Sequence, residues 1–237
     1  MSAPLLVVDL GRRRYGEVLL LQRALVDRRL ADRSQPDLLL LVEHEPVVTL
    51  GRGTRPSSLP VSPPALERRG LDVFEVERGG DVTWHGPGQL VGYPILDLEP
   101  LRADLHWYLR RLEASLVNAL GGLGIEAGVR EGLTGVWTNG RKIASIGIHV
   151  RRWVTYHGFA LNVTTDPASF DAIVPCGIHG VEMTSVAREL GGATDAESVW
   201  NRTRAGVVEA FGRVFDREAE PAVLYDVAAG LQPIPGC

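Results

Sequence analysis

The sequence predicts an α+β fold with a mostly antiparallel sheet and flanking helices. Its 237 residues, 45% of them hydrophobic, can bury one sizeable core, so we expect a single domain over residues 1–237. Two consecutive β-prone runs, 142–150 and 153–163, follow the tight-turn signal Asn139-Gly140 and are expected to pair antiparallel. The chain has no internal repeat of the kind that predicts a solenoid.

The N-terminal segment predicts a strand, a helix and a strand. Residues 5–10 and 37–42 are short apolar runs with high β propensity. Between them, over residues 15–30, apolar side chains at positions 18, 21, 25 and 26 follow a helical period.

Loops and strands are expected to alternate in the next part of the chain. Residues 45–64 are rich in Gly, Pro, Ser and Thr, which is typical of a loop, although residues 47–50 within it can pair as a strand. Residues 72–77 and 90–98 are predicted strands on either side of a glycine-rich stretch, and loops on a rigid sheet are where functional sites usually lie.

Three helices are predicted after residue 103. The clearest begins after Asp104, an expected N-cap, and ends at Gly121. A short helix is expected from about Thr184 to Gly191. The last, amphipathic helix is expected to start at a Thr194-x-x-Glu197 capping box and to run to about residue 215.

Composition and charge exclude several classes of partner. The formal net charge is −4 and the charges are interspersed, so we expect neither nucleic acid nor a membrane as partner. The first residues lack the basic flank and cleavage site of a signal peptide, which predicts a cytoplasmic protein. The two cysteines, Cys176 and Cys237, form neither a disulfide framework nor a metal-binding set, so we expect no metal and a reduced thiol.

Lys142 is the only lysine among 25 basic residues. Lysine differs from arginine chiefly in that it can lose its proton, so a lysine kept where arginine is otherwise used suggests proton chemistry. In the strand predicted over residues 142–150, Lys142 shares its parity with alanine, isoleucine and valine, which predicts that it points inward. The alternative is chance, since the one lysine has to lie somewhere.

Cys176 lies in a segment that leaves its sulfur accessible. Pro175 fixes the approach of the chain, and Gly177 opens the backbone around the thiol. The thiol is therefore a candidate nucleophile, although a small buried hydrophobic residue explains the segment equally well. A nucleophilic thiol needs a base, which either Lys142 or a histidine such as His179 can provide.

Residues 78–89 contain four glycines and one proline in twelve positions. That density predicts a loop whose main chain lies against a ligand, with a bulged hairpin as the alternative. The stretch has neither the ending of a phosphate-binding P-loop nor the dinucleotide fingerprint, so ATP and NAD are not indicated. His85 within it is a candidate contact to a polar group, whereas His44 and His157 are expected to be structural.

Small residues on the two paired strands predict a groove. Ser145-Ile146-Gly147 and Gly158-Phe159-Ala160 place small side chains beside each other, which either leaves room for an acyl chain or allows tight sheet packing.

The chain resembles the lipoyl(octanoyl) transferases over about residues 5–190. The segments that carry the resemblance are Glu43-His44 with Thr49-Leu50-Gly51-Arg52, the stretch 78–89, Gly135-Val136-Trp137 with residues 142–147, and Val174-Pro175-Cys176-Gly177. The sequence departs from the family at Glu45, where a second proline is usual, and residues after Gly191 are not matched by motif.

The resemblance implies a fold similar to the catalytic domain of biotin and lipoate protein ligases. It implies that octanoyl-acyl carrier protein is the donor and that lysines of lipoyl domains, in 2-oxoacid dehydrogenase subunits and the glycine cleavage H protein, are the acceptors. It also implies that Cys176 forms an acyl thioester and that Lys142 is the activating base. The residues expected to line the acyl pocket are Arg78, Gly79, Gly80, Asp81, Val82, Thr83, Trp84, His85, Ser145, Ile146, Gly147, Gly158, Phe159 and Ala160.

Three other functions compete with this one. An ATP-dependent lipoate or biotin ligase can share the fold and dispense with Cys176. A non-catalytic acyl-binding protein needs only the groove, and a Cys/His thioesterase releases free acid. The transferase alone uses the lysine, the Pro-Cys-Gly segment and the glycine-rich stretch together, and it needs no ATP and no cofactor.

Overall fold

The computed structural model describes residues 4–177, 180–192 and 195–231, and of Cys176 it describes the main chain but not the side chain. Ile178, His179, Thr194 and Cys237 lie outside the described residues, so the predictions made for them stay predictions.

An eight-stranded sheet forms the centre of the structure. Its strands lie in the order β11-β1-β2-β6-β10-β9-β8-β7, with parallel pairing only between β1 and its two neighbours. Their bounds are Leu5–Arg13 (β1), Asp37–His44 (β2), Gln89–Ile95 (β6), Gly128–Arg130 (β7), Leu133–Thr138 (β8), Arg141–Arg151 (β9), Val154–Asn162 (β10) and Ala219–Ala222 (β11). The predicted α+β class with a mostly antiparallel sheet is confirmed.

A second, three-stranded sheet packs beside the first. It consists of β3 (Val47–Leu50), β4 (Asp72–Glu75) and β5 (Val82–His85), with β3 in the middle. The stretch 78–89 is therefore not a loop throughout, because residues 82–85 pair antiparallel with β3. The pairing confines the glycines before and after β5 to two short turns. The loop predicted over residues 78–89 is therefore longer than either turn in the structure.

Helices cover both faces of the large sheet. Their bounds are Tyr15–Ala31 (α1), Pro63–Glu67 (α2), Leu105–Gly122 (α3), Val186–Glu189 (α4), Ala196–Phe215 (α5) and Leu224–Ala228 (α6). Side chains of α1 pack on Leu38 and Leu40 of β2, whereas α3 and α5 pack on the opposite side with Leu39 and Leu41. This alternation follows from the two-residue period of a strand, and it makes the central strands hydrophobic on both faces. Among the described residues no helix is both long and apolar enough to cross a membrane.

The helix and turn signals have identifiable partners. Asp104 caps α3 by accepting the Trp107 N–H at 3.0 Å, as predicted. The cap of α5 is Asp195, which accepts the Ser198 N–H at 2.8 Å, so the cap lies one residue later than the predicted box. Asn139 and Gly140 both have positive φ, which makes the turn between β8 and β9 the tight turn expected from their sequence.

Candidate active site

A cavity of about 210 Å³ lies between the turn before β5 and the paired strands β9 and β10. Its walls include apolar residues from four strands, namely Val91, Leu133, Ile146, Phe159 and Ala160. The register places Ile146 opposite Phe159, and Ser145 opposite Ala160. Ala160 and Val91 face the side of the sheet that α1 covers, whereas the side chains of Ile146 and Phe159 pack in the core on the other side. The small pair Ser145 and Ala160 therefore leaves room for an apolar ligand on the α1 side of the sheet.

Lys142 lies at one end of this cavity and is only 2% exposed. Its Nζ donates a hydrogen bond to the Thr134 carbonyl oxygen at 3.0 Å and lies 5.4 Å from the centre of the Trp137 ring. The predicted inward direction of Lys142 is confirmed by this burial. A buried amine beside an apolar groove can exchange a proton with a reacting group or stabilise a negative charge.

Gly135 makes room for the lysine side chain. Its φ is +126°, and a Cβ at this position would lie 2.8 Å from Lys142 Cε and 2.6 Å from the Ala144 carbonyl oxygen. The Gly135 N–H donates to Glu113 Oε1 at 3.2 Å, and Glu113 is itself buried on α3 with Arg110 as its ion-pair partner. Only glycine fits this conformation without strain, so the sequence Gly135-Val136-Trp137 fixes where Lys142 lies.

The chain that follows Cys176 pairs with the strand of Lys142. The Lys142 N–H donates to the Glu182 carbonyl oxygen at 2.8 Å, and the Thr184 N–H donates to the Lys142 carbonyl oxygen at 2.9 Å. Met183 between them forms a parallel bridge with Lys142. Residues 182–184, which follow the predicted nucleophile in the chain, are thus anchored on the strand of the predicted base.

The chain around Cys176 is also anchored on the other side of the cavity. Residues Pro175–Gly177 form a 3₁₀ turn, and the Val174 N–H donates to the Ser58 carbonyl oxygen at 2.9 Å. The Ser58 hydroxyl donates to Asp81, a residue that lines the cavity, at 2.6 Å. Gly177, with φ of +66°, approaches the same carboxylate so closely that an added Cβ would lie 2.2 Å from Asp81 Oδ2. The main chain of Cys176 therefore lies beside the cavity wall.

Arg78 organises the turn before β5. Its guanidinium donates to the carbonyl oxygens of Thr49, Gly79 and Asp81 at 2.7–3.2 Å and to the Thr49 hydroxyl at 2.8 Å. Arg78 is 7% exposed and also lines the cavity. A planar fork of donors suits such convergent carbonyl groups, which a lysine could not bind together.

The other end of the cavity is lined by aromatic and polar side chains. The Tyr93 hydroxyl donates to His44 Nε2 at 2.8 Å, and His44 Nδ1 donates to the Arg13 carbonyl oxygen at 3.1 Å. His85 Nδ1 donates to Gln89 Oε1 at 2.7 Å. Burial lowers the pKa of His44 to about 4, and burial together with His44 lowers the pKa of His85 to about 3. Both imidazoles are therefore neutral at pH 7.

His157 is the most unusual residue at this end. It is 1% exposed, and its φ of +55° is rare for a residue other than glycine. Its main-chain N–H donates to Gln22 Oε1 at 2.8 Å, whereas both ring nitrogens are buried and, within the part of the chain that the structure describes, neither has a hydrogen-bond partner within 3.5 Å. The nearest carboxylate oxygen, Glu77 Oε2, is 3.6 Å from Nε2, which is too far for a hydrogen bond. Burial, followed by the charge of Arg78, lowers the pKa of His157 to about 3.

Most of the predicted pocket residues are brought together at this cavity. Those that line it are Arg78, Gly80, Asp81, Val82, Thr83, His85, Lys142, Ser145, Ile146, Gly147, Gly158, Phe159 and Ala160. Two others lie elsewhere. Gly79 donates its N–H to the Ile148 carbonyl oxygen, and the Trp84 ring packs on Phe170 in a separate apolar cluster.

Sequence reasoning missed seven residues of the lining. These are Tyr15, Val91, Tyr93, Gly132, Leu133, Thr134 and His157. The alternating pattern of β6 and β10 could have indicated Val91 and Tyr93, because they share a face with the predicted groove residues. Nothing in the sequence around Tyr15 indicated that the first turn of α1 reaches this cavity.

Comparison with known proteins places the chain in a family. Residues 14–208 match the family described as lipoyl protein ligase A/B catalytic domain. An octanoyltransferase from Gloeobacter violaceus is 48% identical over 216 residues, which cover 91% of each chain. An octanoyltransferase from Geobacter sulfurreducens is 52% identical over 187 residues, which cover 79% of this chain and 76% of that protein.

The fold has solved counterparts. The crystal structure of lipoate-protein ligase A bound with ATP has a TM-score of 0.75 at 16% identity and covers 96% of this chain and 91% of that one. At this identity the likeness concerns the fold alone. With the family match, and with relatives that align over most of their length, the chain belongs to the octanoyltransferases within the lipoyl protein ligase A/B catalytic family and is an acyltransferase.

Proposed function

We propose that this acyltransferase moves an octanoyl group, or a lipoyl group, from acyl carrier protein to a lysine of a lipoyl domain, as the first step of protein lipoylation. The names of its relatives and of its family support octanoyl transfer and a lipoyl acceptor. The observation that carries the chemistry is the burial of Lys142 at the end of an apolar cavity, next to the chain that follows Cys176.

In the first half-reaction Cys176 is the nucleophile. The uncharged amine of Lys142 takes the thiol proton, and the ammonium that results stabilises the thiolate. The thiolate attacks the carbonyl carbon of the donor thioester, and collapse of the tetrahedral intermediate expels the thiolate of the carrier's phosphopantetheine arm. That leaving group takes the proton from Lys142. The donor thioester and the Cys176 thiol are thereby converted into the Cys176 thioester and the phosphopantetheine thiol.

In the second half-reaction the neutral amine of the acceptor lysine attacks the Cys176 thioester. Cys176 leaves as the thiolate, and the proton lost by the amine is passed to it through Lys142. An amide replaces a thioester, which drives the reaction forward. Because the donor already carries activated acyl, the scheme uses neither ATP nor another cofactor.

The neutral histidines of this region are not suited to act as the base; His85 and His157 line the cavity, and His44 lies behind Tyr93. His44 and His85 each donate Nδ1–H to an oxygen, and His157 lies near Ile148, six residues along β9 from Lys142. Lys142 is the amine of the described lining, and its main chain is hydrogen-bonded to residues 182–184, which follow Cys176 in the chain.

The proposed partners rest on the family to which the chain belongs. The donor is octanoyl-acyl carrier protein, and the acceptors are the lipoyl domains of 2-oxoacid dehydrogenase subunits and the glycine cleavage H protein. With these partners, the proposal is of an enzyme that works in the cytoplasm, with no role for nucleic acid or a membrane surface.

Intact-protein mass spectrometry tests the proposal. The chain is mixed with octanoyl-acyl carrier protein without ATP, alongside the Cys176→Ser and Lys142→Met variants. We expect a hydroxylamine-labile octanoyl adduct on the native chain, no labile adduct on the serine variant, and transfer of the adduct to an added lipoyl domain. Acylation of the lipoyl domain that requires ATP and free octanoate would instead show a ligase. Binding of octanoate without any transfer would show an acyl-binding protein, and release of free acid a thioesterase.

A further inference from the structure

Glu113 is a buried carboxylate that the two half-reactions do not use. It lies on α3 among the residues that face the core, such as Leu112 and Leu116, and its side chain is 1% exposed. A carboxylate taken out of water is costly unless polar groups compensate for the lost hydration. Its place in the interior therefore calls for an explanation.

Glu113 has two polar partners among the described residues. Oε2 accepts from the Arg110 guanidinium at 2.5 Å, and Oε1 accepts the Gly135 N–H at 3.2 Å. Both contacts favour the carboxylate over the uncharged acid. The Arg110 side chain is 59% exposed, so water screens its charge, whereas the Gly135 N–H is buried. A glutamine can accept that N–H equally well, so the contact by itself does not require a negative charge.

The carboxylate of Glu113 is close to the amine of Lys142. A Cβ added to Gly135 would lie 3.2 Å from Lys142 Nζ, and the Gly135 nitrogen is 3.2 Å from Glu113 Oε1. Because a Cβ is roughly 2.5 Å from the nitrogen of its own residue, Oε1 lies within about 9 Å of Nζ. At an effective dielectric constant of about 20, a unit charge at about 9 Å changes the midpoint of an amine's titration by about one pH unit.

The groups that touch the Lys142 side chain act in both directions. The Thr134 carbonyl oxygen accepts from Nζ, and the face of the Trp137 ring lies 5.4 Å away, both of which favour a cation. The Arg130 guanidinium lies 4.5 Å from the centre of the same ring and opposes a second cation there.

Other charged groups near Lys142 occur with a neighbour of opposite sign, which limits their net effect. They are Arg78 and Asp81 in the cavity wall, the pair Arg141–Glu189, and the pair Arg188–Glu182 on the segment that pairs with the lysine. His85 and His157, which also line the cavity, are neutral at pH 7 because their pKa values are lowered to about 3. Glu113 differs from these groups because its counter-charge points to solvent.

We propose that Glu113 is a positioning residue for Lys142, which holds the turn of Gly135 against α3 and, through its negative charge, favours transfer of the Cys176 proton to the lysine amine. This inference rests on the proposed acyl transfer. In that transfer the S–H bond of Cys176 breaks and an N–H bond forms on Lys142, so a neutral pair becomes a thiolate and an ammonium. A negative charge nearer the amine than the thiol stabilises the charged pair.

The fold places Glu113 on the side of the lysine away from the nucleophile. Helix α3 packs on β8 and β9, whereas the main chain of Cys176 is anchored beside Ser58 and Asp81, next to the small sheet. The charge of Glu113 therefore acts more strongly on Lys142 than on the thiol.

The single lysine of the chain allows a test without any acyl transfer. When the protein is labelled with ¹³C-lysine, the ε-carbon of Lys142 gives one NMR signal that reports the protonation of its amine, because the chain contains no other lysine. The titration is followed in Cys176→Ser, where no thiol titrates together with the amine. Adding Glu113→Gln should lower the midpoint of the lysine titration by about one pH unit.

Three further variants, each made in Cys176→Ser, separate charge from shape. Glu113→Asp keeps the charge but is too short for the contact to Gly135, so the midpoint should change by less than about 0.3 pH unit. Arg110→Gln removes the exposed counter-charge and should raise the midpoint, which tests the sign even where Glu113→Gln does not fold. Glu126→Gln makes the same charge change at an exposed position and should leave the midpoint unchanged. A change of less than about 0.3 pH unit in Glu113→Gln, or a lower midpoint in Arg110→Gln, would overturn the proposal.

Acyl-enzyme formation by the chain with its cysteine ties the charge to the reaction. At pH 7, Glu113→Gln should form the octanoyl adduct about three- to tenfold more slowly than the native chain, and Glu113→Asp at close to the native rate. An equal loss in both variants would show that the contact to Gly135 matters and the charge does not, which contradicts the inference. A shifted lysine midpoint with no adduct on the native chain would refute the proposed acyl transfer and not the coupling between Glu113 and Lys142.

Discussion

Gly135 is the position where a single methyl group should disturb the candidate active site most directly. The change Gly135→Ala places a Cβ 2.6 Å from the Ala144 carbonyl oxygen and 2.8 Å from Lys142 Cε. The first contact is with main chain of β9 and cannot be relieved by a rotamer change. The second pushes the lysine away from the Thr134 carbonyl oxygen, to which it donates at 3.0 Å.

Two energetic costs lower the stability of the Gly135→Ala variant. Holding an alanine at the φ of +126° found for Gly135 costs about 1–3 kcal/mol. Overpacking against a strand that cannot move costs about another 1–3 kcal/mol. The free energy of unfolding should therefore fall by about 2–6 kcal/mol, which for a chain of this size lowers Tm by about 4–24 °C.

Thermal unfolding followed by circular dichroism measures the stability, and acyl-enzyme formation at 10 °C measures the site. Gly128→Ala is the matched control, because no heavy atom outside its chain neighbours lies within 4 Å of an added Cβ there. We expect Gly135→Ala to lose more activity than its folded fraction explains, since the lysine is displaced even in the folded protein. A Tm within about 2 °C of the Gly128→Ala control would refute the steric reasoning.

Three further changes test other parts of the site. Lys142→Arg should lower the rate of acyl transfer by about 100-fold or more, because arginine cannot give up its proton. Arg130→Lys is the control, and a Lys142→Arg variant that keeps a tenth of the native rate would contradict this prediction. Arg78→Lys should lose most of the hydrogen bonds to the carbonyl oxygens of Thr49, Gly79 and Asp81. Limited proteolysis should therefore cut this variant within residues 78–88 sooner than the native chain, and Arg69→Lys is the exposed control. The pKa values of His44, His85 and His157 are lowered in the folded state to about 4, 3 and 3, so the unfolded chain binds more protons below pH 6.5. Stability should be constant above pH 6.5 and fall as pH decreases towards 4, and equal unfolding free energies in urea at pH 7.0 and pH 4.5 would exclude this linkage.

Local signals in the sequence were enough to predict the elements that carry the site. The Asn139-Gly140 turn, the alternation that turns Lys142 inward and the Asp104 cap are each decided within a few residues, and all three are confirmed. The burial of Lys142 was predictable because the parity of a strand fixes its face.

Features that depend on distant packing were not predictable. Residues 82–85 alternate apolar and polar side chains over only four positions between glycines, which is too short a run to distinguish a strand from a loop. They become β5 because β3 offers a partner some 35 residues earlier in the chain. His157 was expected to be structural, yet it lines the cavity. Its main-chain N–H donates to Gln22, which lies on a helix 135 residues away in the sequence. Trp84 was grouped with its neighbours in the glycine-rich stretch, but β5 alternates and turns its ring towards Phe170.

The two outermost strands of the large sheet bear on how the protein avoids polymerising. At one edge β7 has three residues and an irregular register with β8, and at the other β11 has four residues including Pro221. Short, interrupted or proline-containing edges offer few main-chain groups for pairing with another sheet, which protects a β-rich protein from edge-to-edge aggregation. The cavity lies on β6, β9 and β10 in the interior of the sheet, so substitutions that reshape it for another acyl chain leave this protection at the edges unchanged.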